Sequence, residues 1–322
     1  MDNIHLFMRY DRQEILIGKE GQKRLKDIHV CIVGLGALGS VSAELLARAG
    51  IGKITLIDRD DVQIDNLQRQ LCYTEEDIGK LKAIALKEYL EKVNSSISLD
   101  AKPIDIDWKN ISNCKSELIL DGTDNFQTRF LINEYSRKNN IPWIYTGAIQ
   151  QRGSLLAITP KEEYCFYCIF GEHYSKDTCD TAGILNSTSV FMASLQTNEA
   201  YNIILNKKYE KHLLNINMTN NSITRIKPAR SKTCNVCKGK YDFLDGKREQ
   251  PIIRQCGEEA WHIKREFDYE KEKKRLSSLS KTEEFSYYFV FKNMKFFKDN
   301  RIVVYTNAKE KAKSLIAQYL GE

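Results

Sequence analysis

Four cysteines in two pairs, Cys165-Phe-Tyr-Cys168 and Cys234-Asn-Val-Cys237, carry the plainest chemistry in the chain. Together they supply four thiolates, the ligand set of a closed tetrahedral Zn²⁺ site. The pairs lie more than sixty residues apart. A zinc ion held by all four would therefore clip two distant segments together and order the chain between them. A redox CxxC is the competing reading, but redox chemistry does not need two copies. Between the pairs, Cys179 sits in the polar stretch Thr178-Cys-Asp-Thr-Ala-Gly183, with Lys176 close by. Such surroundings lower a thiol pKa and favour a nucleophilic thiolate; a spare surface cysteine is the alternative. Of the remaining cysteines, Cys31, Cys72 and Cys114 read as small core or surface residues, and Cys256 has no assigned role.

A second group of residues suits a nucleotide. Gly34-Leu-Gly36-Ala37-Leu-Gly39 follows a β-rich run and opens a helical one. That spacing turns the backbone sharply, brings an anion close to the main chain and aims helix N-terminal N–H groups at it. Asp58 ends the next β-rich run, about twenty residues on, where a carboxylate accepts hydrogen bonds from a ribose diol. The loop alone does not separate a dinucleotide from ATP. Arg69, in Asn66-Leu-Gln68-Arg69-Gln70, and Lys82 follow the strand that ends at Asp58. They are either ordinary surface cations or, at the ligand edge of an open α/β sheet, phosphate ligands. Two cations beside a glycine loop suit a triphosphate better than a pyrophosphate. Asp124, in Asp121-Gly-Thr-Asp124-Asn125, could hold Mg²⁺ with phosphate oxygens, could cap the following helix, or could do both.

These residues need elements to hold them. Apolar and β-branched runs at 28–33, 53–57, 97–103, 118–120 and 143–148 read as strands, and 12–26, 37–49, 80–93 and 125–138 as helices. Strands alternating with helices predict a doubly wound, mostly parallel Rossmann-like α/β sheet. After residue 150 the rhythm changes. Residues 153–159 read as a strand antiparallel to its neighbour, 187–205 as a long helix, and 212–216 and 223–227 as two strands. A composition break follows Cys237. We expect one domain over 1–239 and a small α+β module over 240–322, with strands at 285–291 and 302–305 and a closing helix at 308–320.

Composition narrows the field. The chain has 322 residues, 42% hydrophobic and 29% charged, with a net charge of +6. That is an ordinary globular composition, and it excludes a disordered tail or a disulfide scaffold. Acidic and basic residues alternate, as in Phe267-Asp-Tyr-Glu-Lys-Glu-Lys-Lys-Arg275. They form no basic stripe, so no nucleic-acid partner is expected. No apolar run is long enough to span a membrane, and no secretory leader is visible, so a cytoplasmic location is expected.

Taken in order, these residues resemble the ThiF/MoeB/HesA family of ubiquitin-activating-enzyme-like adenylyltransferases. The likeness rests on Arg9-Tyr-Asp-Arg12-Gln13, Gly34-x-Gly36-x-x-Gly39, Asp58-x-Asp60, Asn66-Leu-Gln68-Arg69-Gln70, Lys82, Thr123-Asp124-Asn125, both cysteine pairs and Cys179-x-x-Ala-Gly183. It covers about residues 9–237. The resemblance implies ATP-dependent adenylation of the C-terminal glycine of a ubiquitin-like sulfur carrier, ThiS-like or MoaD-like. It implies a homodimer and a separate sulfur donor such as a cysteine desulfurase. Asp58 would hold the ribose, with Asp60 beside it. Asn66, Arg69 and Lys82 would bind the triphosphate, with Gln68 and Asn125 alongside in the same motifs, and Asp124 would bind Mg²⁺. Arg12 would reach the ATP of the partner subunit, and Cys179 would bond covalently with the activated carrier. The chain departs from the family where Ala37 replaces a further glycine and where Asn186 replaces a common proline. Relatives of this fold that adenylate a peptide C-terminus give the alternative substrate. A nucleotide-binding scaffold without catalysis is the alternative of another class.

Overall fold

The run His-Val-Cys-Ile-Val ends in a glycine and forms the first strand, because alternate side chains find an apolar layer on each side of it. The computed structural model describes residues 8–171, 183–248 and 259–321, with 252–254 as backbone. The chain divides into two units: among the described residues the first holds 8–171 and 184–247, and the second holds Gly183 and those from Arg248 on.

In the first unit, α1 (Asp11–Asp27) precedes β1 (His29–Val33), α2 (Gly39–Ala49), β2 (Lys53–Ile57), α3 (Lys82–Val93) and β3 (Ser98–Lys102). Then come β4 (Leu118–Asp121), α4 (Phe126–Asn139), β5 (Trp143–Ile149), β6 (Arg152–Ile158), α5 (Phe166–Phe170), α6 (Asn186–Ile204), β7 (Leu213–Asn217) and β8 (Ser222–Ile226). The sheet order is β3-β2-β1-β4-β5-β6-β7-β8. Pairings from β3 to β5 are parallel, and those from β5 to β8 are antiparallel. The sheet is therefore mixed rather than mostly parallel. The reason is local: only Gln150 and Gln151 separate β5 from β6, and Gln150 takes a left-handed φ of 54°. Such a link reverses the chain, whereas a parallel return needs a long crossover.

Successive residues of β1 face opposite layers. Val30 and Ile32 pack with Leu46 of α2, Leu86 of α3 and Ala200 of α6. Cys31 and Val33 pack with Phe130 of α4 and with Phe166 of α5. From β1 the chain winds outward through β2 and β3, then returns to β4 on the other side of β1. The reversal opens a crevice at the C-terminal ends of β1 and β4, the usual ligand position in such sheets. Among the described residues, no helix is long and apolar enough to cross a membrane.

The second unit contains β9 (Ile252–Arg254), β10 (Ala260–Lys264), α7 (Tyr269–Ser277), β11 (Thr282–Glu284), β12 (Tyr288–Phe291), β13 (Met294–Phe297), β14 (Arg301–Tyr305) and α8 (Lys309–Leu320). Its sheet is antiparallel, in the order β11-β12-β13-β14-β10-β9. Phe289, Phe291, Phe296, Ile302 and Val304 form its core with Leu276 of α7 and Ile316 of α8.

Candidate active site and metal centre

The glycine loop lies at the crevice, and its three glycines do different work. Gly34 has φ +85°, and a Cβ there would come within 2.6 Å of the Gly122 backbone. A Cβ on Gly39 would meet the Gly34 carbonyl oxygen at 1.8 Å. These two let the ends of β1 and β4 touch main chain to main chain. Gly36 differs, because among the described residues a Cβ there would meet only Gln70 Nε2, at an ordinary 3.7 Å. Packing of the described residues does not require this glycine, so it leaves a cradle in which a phosphate can approach the backbone. Ala37 is not among the residues with left-handed backbone, so its methyl is accommodated. Beside the cradle Gln70 is buried, and its Oε1 has no hydrogen-bond partner among the described residues. A buried polar atom of this kind is uncommon unless a ligand or water satisfies it.

Asp58 closes the loop from below. Its Oδ2 accepts from the Leu35 N–H at 2.6 Å, and its Oδ1 from the Asp60 N–H at 2.7 Å. Burial pushes its carboxyl up, while the Lys82 charge pulls it down. Lys82 is itself buried at the start of α3. Burial works against its charge, but Asp58, Asp60, Asp124 and Asp61 outweigh it and raise its pKa. The structure thus brings Asp58, Asp60, Lys82 and Asp124 into one electrostatic group. Sequence reasoning missed Arg59, whose Nη1 meets Asp105 Oδ1 at 3.0 Å and whose Nε lies 3.6 Å from Asp60. Its only signal was its place between Asp58 and Asp60.

Asn66 is buried, and its Oδ1 accepts from the Gln63 N–H at 3.3 Å, closing a 3₁₀ turn over Ile64–Asn66. Arg69 Nη1 donates to the Asp65 carbonyl at 2.9 Å, and Gln68 is exposed. Asp124 is exposed after β4. It does not cap α4; that role belongs to Asn125, whose Oδ1 accepts from the Thr128 N–H at 2.9 Å. Asp124 is thereby left available for another partner. The loop carrying it is fixed by a buried pair that the sequence did not reveal. Arg129 Nε bonds Asp121 Oδ2 at 2.9 Å, and Arg129 Nη2 donates to the Thr123 carbonyl. Phe126 and Tyr145 flank the guanidinium, with ring centroids at 5.4 and 5.0 Å. Burial alone would lower the Arg129 pKa, but Asp121 more than offsets it.

The two cysteine pairs meet as one cluster. Sγ–Sγ distances are 3.8 Å for Cys165–Cys168, 3.6 Å for Cys165–Cys234 and 3.5 Å for Cys168–Cys237. All four sulfurs lie within 4.8 Å of one another. A tetrahedron with Zn–S bonds of about 2.3 Å has S–S edges of about 3.8 Å, so the donor set fits Zn²⁺. The Cys237 N–H points at Cys234 Sγ at 3.5 Å. Two neighbouring residues of α4 hold the flanking segments. Asn133 Oδ1 accepts from the Phe166 N–H, and Glu134 Oε2 accepts from the N–H groups of Phe243 and Leu244, each at 2.9 Å. Burial pushes the Glu134 carboxyl up to about 7 against those two bonds.

Arg12 is exposed at the start of α1. Cys179 and Cys256 lie outside the described residues.

Residues 10–236 match the ThiF family. The chain is 31% identical to the sulfur carrier protein ThiS adenylyltransferase of Bacillus subtilis, over 97% of this chain and 99% of that one. It is 36% identical to the Escherichia coli protein of the same name, over 62% of this chain and 81% of that one. Among solved structures, Escherichia coli MccB with ATP superposes with a TM-score of 0.64 at 23% identity, covering 72% of this chain and 75% of MccB. That likeness is one of fold.

Proposed function

This chain belongs to the ThiF family, and from that premise we propose that it is an ATP-dependent adenylyltransferase acting on the C-terminal glycine carboxylate of a ubiquitin-like sulfur carrier. The names of the Bacillus subtilis and Escherichia coli relatives support this substrate class. The observation that carries the chemistry is the cradle at Gly36 beside buried Lys82 and exposed Asp124.

A carboxylate is a poor electrophile, because its charge repels nucleophiles. The carrier's carboxylate oxygen attacks the α-phosphorus of ATP. A C(O)–O–P bond forms, the bond to the β-phosphate oxygen breaks, and pyrophosphate leaves with the electron pair. Negative charge accumulates on the departing group. Lys82, preplaced and buried, opposes it; Arg69 turns from the Asp65 carbonyl to do the same. The Asp58 carboxylate orients the ribose. Asp124 would hold Mg²⁺, which would neutralise part of the phosphate charge. The four cysteines would hold Zn²⁺ in a structural role. Arg12 serves the nucleotide of a second copy in a homodimer, and the Cys179 thiolate attacks the acyl carbon of the adenylated carrier, forming a thioester as the C–O bond breaks and AMP leaves. A separate desulfurase-type donor supplies sulfur.

The test is ATP–pyrophosphate exchange dependent on a carrier ending in Gly-Gly. Arg69→Ala and Lys82→Ala are each expected to lower exchange on the order of 10²–10³-fold, about 3 to 4 kcal/mol. Near-normal exchange in both variants would remove the assignment. Exchange driven by a short peptide C-terminus and by no carrier would move the substrate to the alternative class, a peptide C-terminus.

A further inference from the structure

The start of α1 is fastened more tightly than a surface helix needs to be. Tyr10 lies against Gly50, where a Cβ would come within 2.6 Å of the phenol, and Gly50 has φ +81° at the C-terminal end of α2. Asn94, buried at the end of α3, donates from Nδ2 to the Tyr10 hydroxyl at 2.8 Å and to the Ala47 carbonyl at 2.7 Å. Gln13 Nε2 donates to Gln22 Oε1 at 2.6 Å and to the Ala49 carbonyl at 2.9 Å. Arg9 Nη1 donates to the Val93 carbonyl at 2.9 Å. Arg9, Tyr10 and Gln13 are thus bonded to the C-terminal ends of α2 and α3. Arg12, in their midst, is exposed and flanked by exposed Met8, Ile15 and Leu16.

The topology decides which nucleotide Arg12 can serve. Helix α2 begins at the glycine loop and runs 11 residues to Ala49. At 1.5 Å per residue that is about 16 Å. Its far end, where Tyr10 is held, is the end of the helix opposite the chain's own phosphate cradle. Arg12, exposed beside that anchor, is separated from its own cradle by the length of α2, so the cradle it would serve is one on another molecule.

Resting on the proposed role of Arg12 across a homodimer, we infer that Tyr10, locked between Asn94 and Gly50, is a positioning residue that aims Arg12 at the nucleotide held by a second copy of this chain. Tyr10 acts at no reacting atom of its own chain. Misplacement of a charged group by about 1 Å can lower a rate on the order of 100-fold.

The test uses mixed dimers and carrier-dependent pyrophosphate exchange, with the Bacillus subtilis ThiS carrier as probe. Arg12→Ala and Lys82→Ala chains, each strongly impaired alone, are mixed, and the residual exchange of each is subtracted. One composite site then pairs an intact cradle on the Arg12→Ala chain with an intact Arg12 on the Lys82→Ala chain, and exchange should return. Adding Tyr10→Ala to the Lys82→Ala chain should lower the recovered turnover on the order of 100-fold without changing the KM for carrier. Adding it to the Arg12→Ala chain should leave the recovered turnover unchanged. Tyr10→Phe keeps the ring on Gly50 and removes only the hydroxyl, so it should give a smaller loss with the same asymmetry. Equal losses in both placements would make Tyr10 a fold element and overturn the inference. No recovery in the parent mixture would instead sink the reading of Arg12 on which it rests.

Discussion

The glycine-loop crevice and the four-cysteine cluster solve opposite problems on one scaffold. At the cluster the protein brings its own ligands together: four sulfurs lie within 4.8 Å, and the flanking backbone is tied to Asn133 and Glu134. At the crevice it holds ligands back from one another. Lys82 is buried among carboxylates, Arg69 rests on a carbonyl, Asp124 is exposed, and Gln70 Oε1 has no partner among the described residues. A site that closes on a resident ion contributes its binding energy to the fold. A site that must take in a polyanion and release it contributes to rate instead. Damage to the first should therefore appear as lost stability, and damage to the second as lost turnover in an intact protein.

The largest effect expected from this contrast is at the clip. Cys234→Ser should remove bound zinc, measured as metal per chain, and lower unfolding stability by more than about 4 kcal/mol. A zinc-free variant that unfolds like the parent would break the contrast. A finer division lies within the glycine loop. Gly39→Ala drives a Cβ to 1.8 Å from the Gly34 carbonyl and should cost about 1–3 kcal/mol in denaturant unfolding. Gly36→Ala should unfold within about 0.5 kcal/mol of the parent yet bind ATP more weakly by calorimetry. Equal destabilisation by both would mean that Gly36 also serves packing.

The smallest effect is a pH slope. Glu134 has its pKa raised from an ordinary 4.5 to about 7, so between those values the folded state binds more protons than the unfolded. Its contribution is fully present below 4.5 and is lost as pH rises through about 7. Glu134→Gln keeps an acceptor for the Phe243 and Leu244 N–H groups. It should flatten that part of the stability profile; an unchanged slope would assign the titration to another group.

What the sequence revealed follows the range of the interactions involved. Strand, glycine loop, helix, strand and Asp58 are legible because each is a local pattern. The cysteine pairs are legible because their chemistry has few alternatives. The antiparallel turn at β6 was legible because no helix separates it from β5. The Asp121–Arg129 pair, the cap at Asn125 and the bonds of Glu134 to residues 243 and 244 were not. An arginine or glutamate in a helix looks solvated until tertiary packing buries it. The same holds for Asn94, which lies just past the helix expected at 80–93 and proves to be a hub for Tyr10 and Ala47. In the second unit, β13 escaped notice because it is four residues long and turns directly back on β12.

The crossing of Gly34, Gly39 and Gly122 also bears on how lineages of this fold can drift. Main chain presses on main chain there, so no neighbouring side chain can shrink to make room for a mutation. A descendant that abandoned nucleotide chemistry would still have to keep those three positions, while Gly36 would be free to change. Inherited together in one short motif, the glycines answer to two separate selective pressures. Erosion of the middle one alone would mark a lineage that has kept the architecture and given up the reaction.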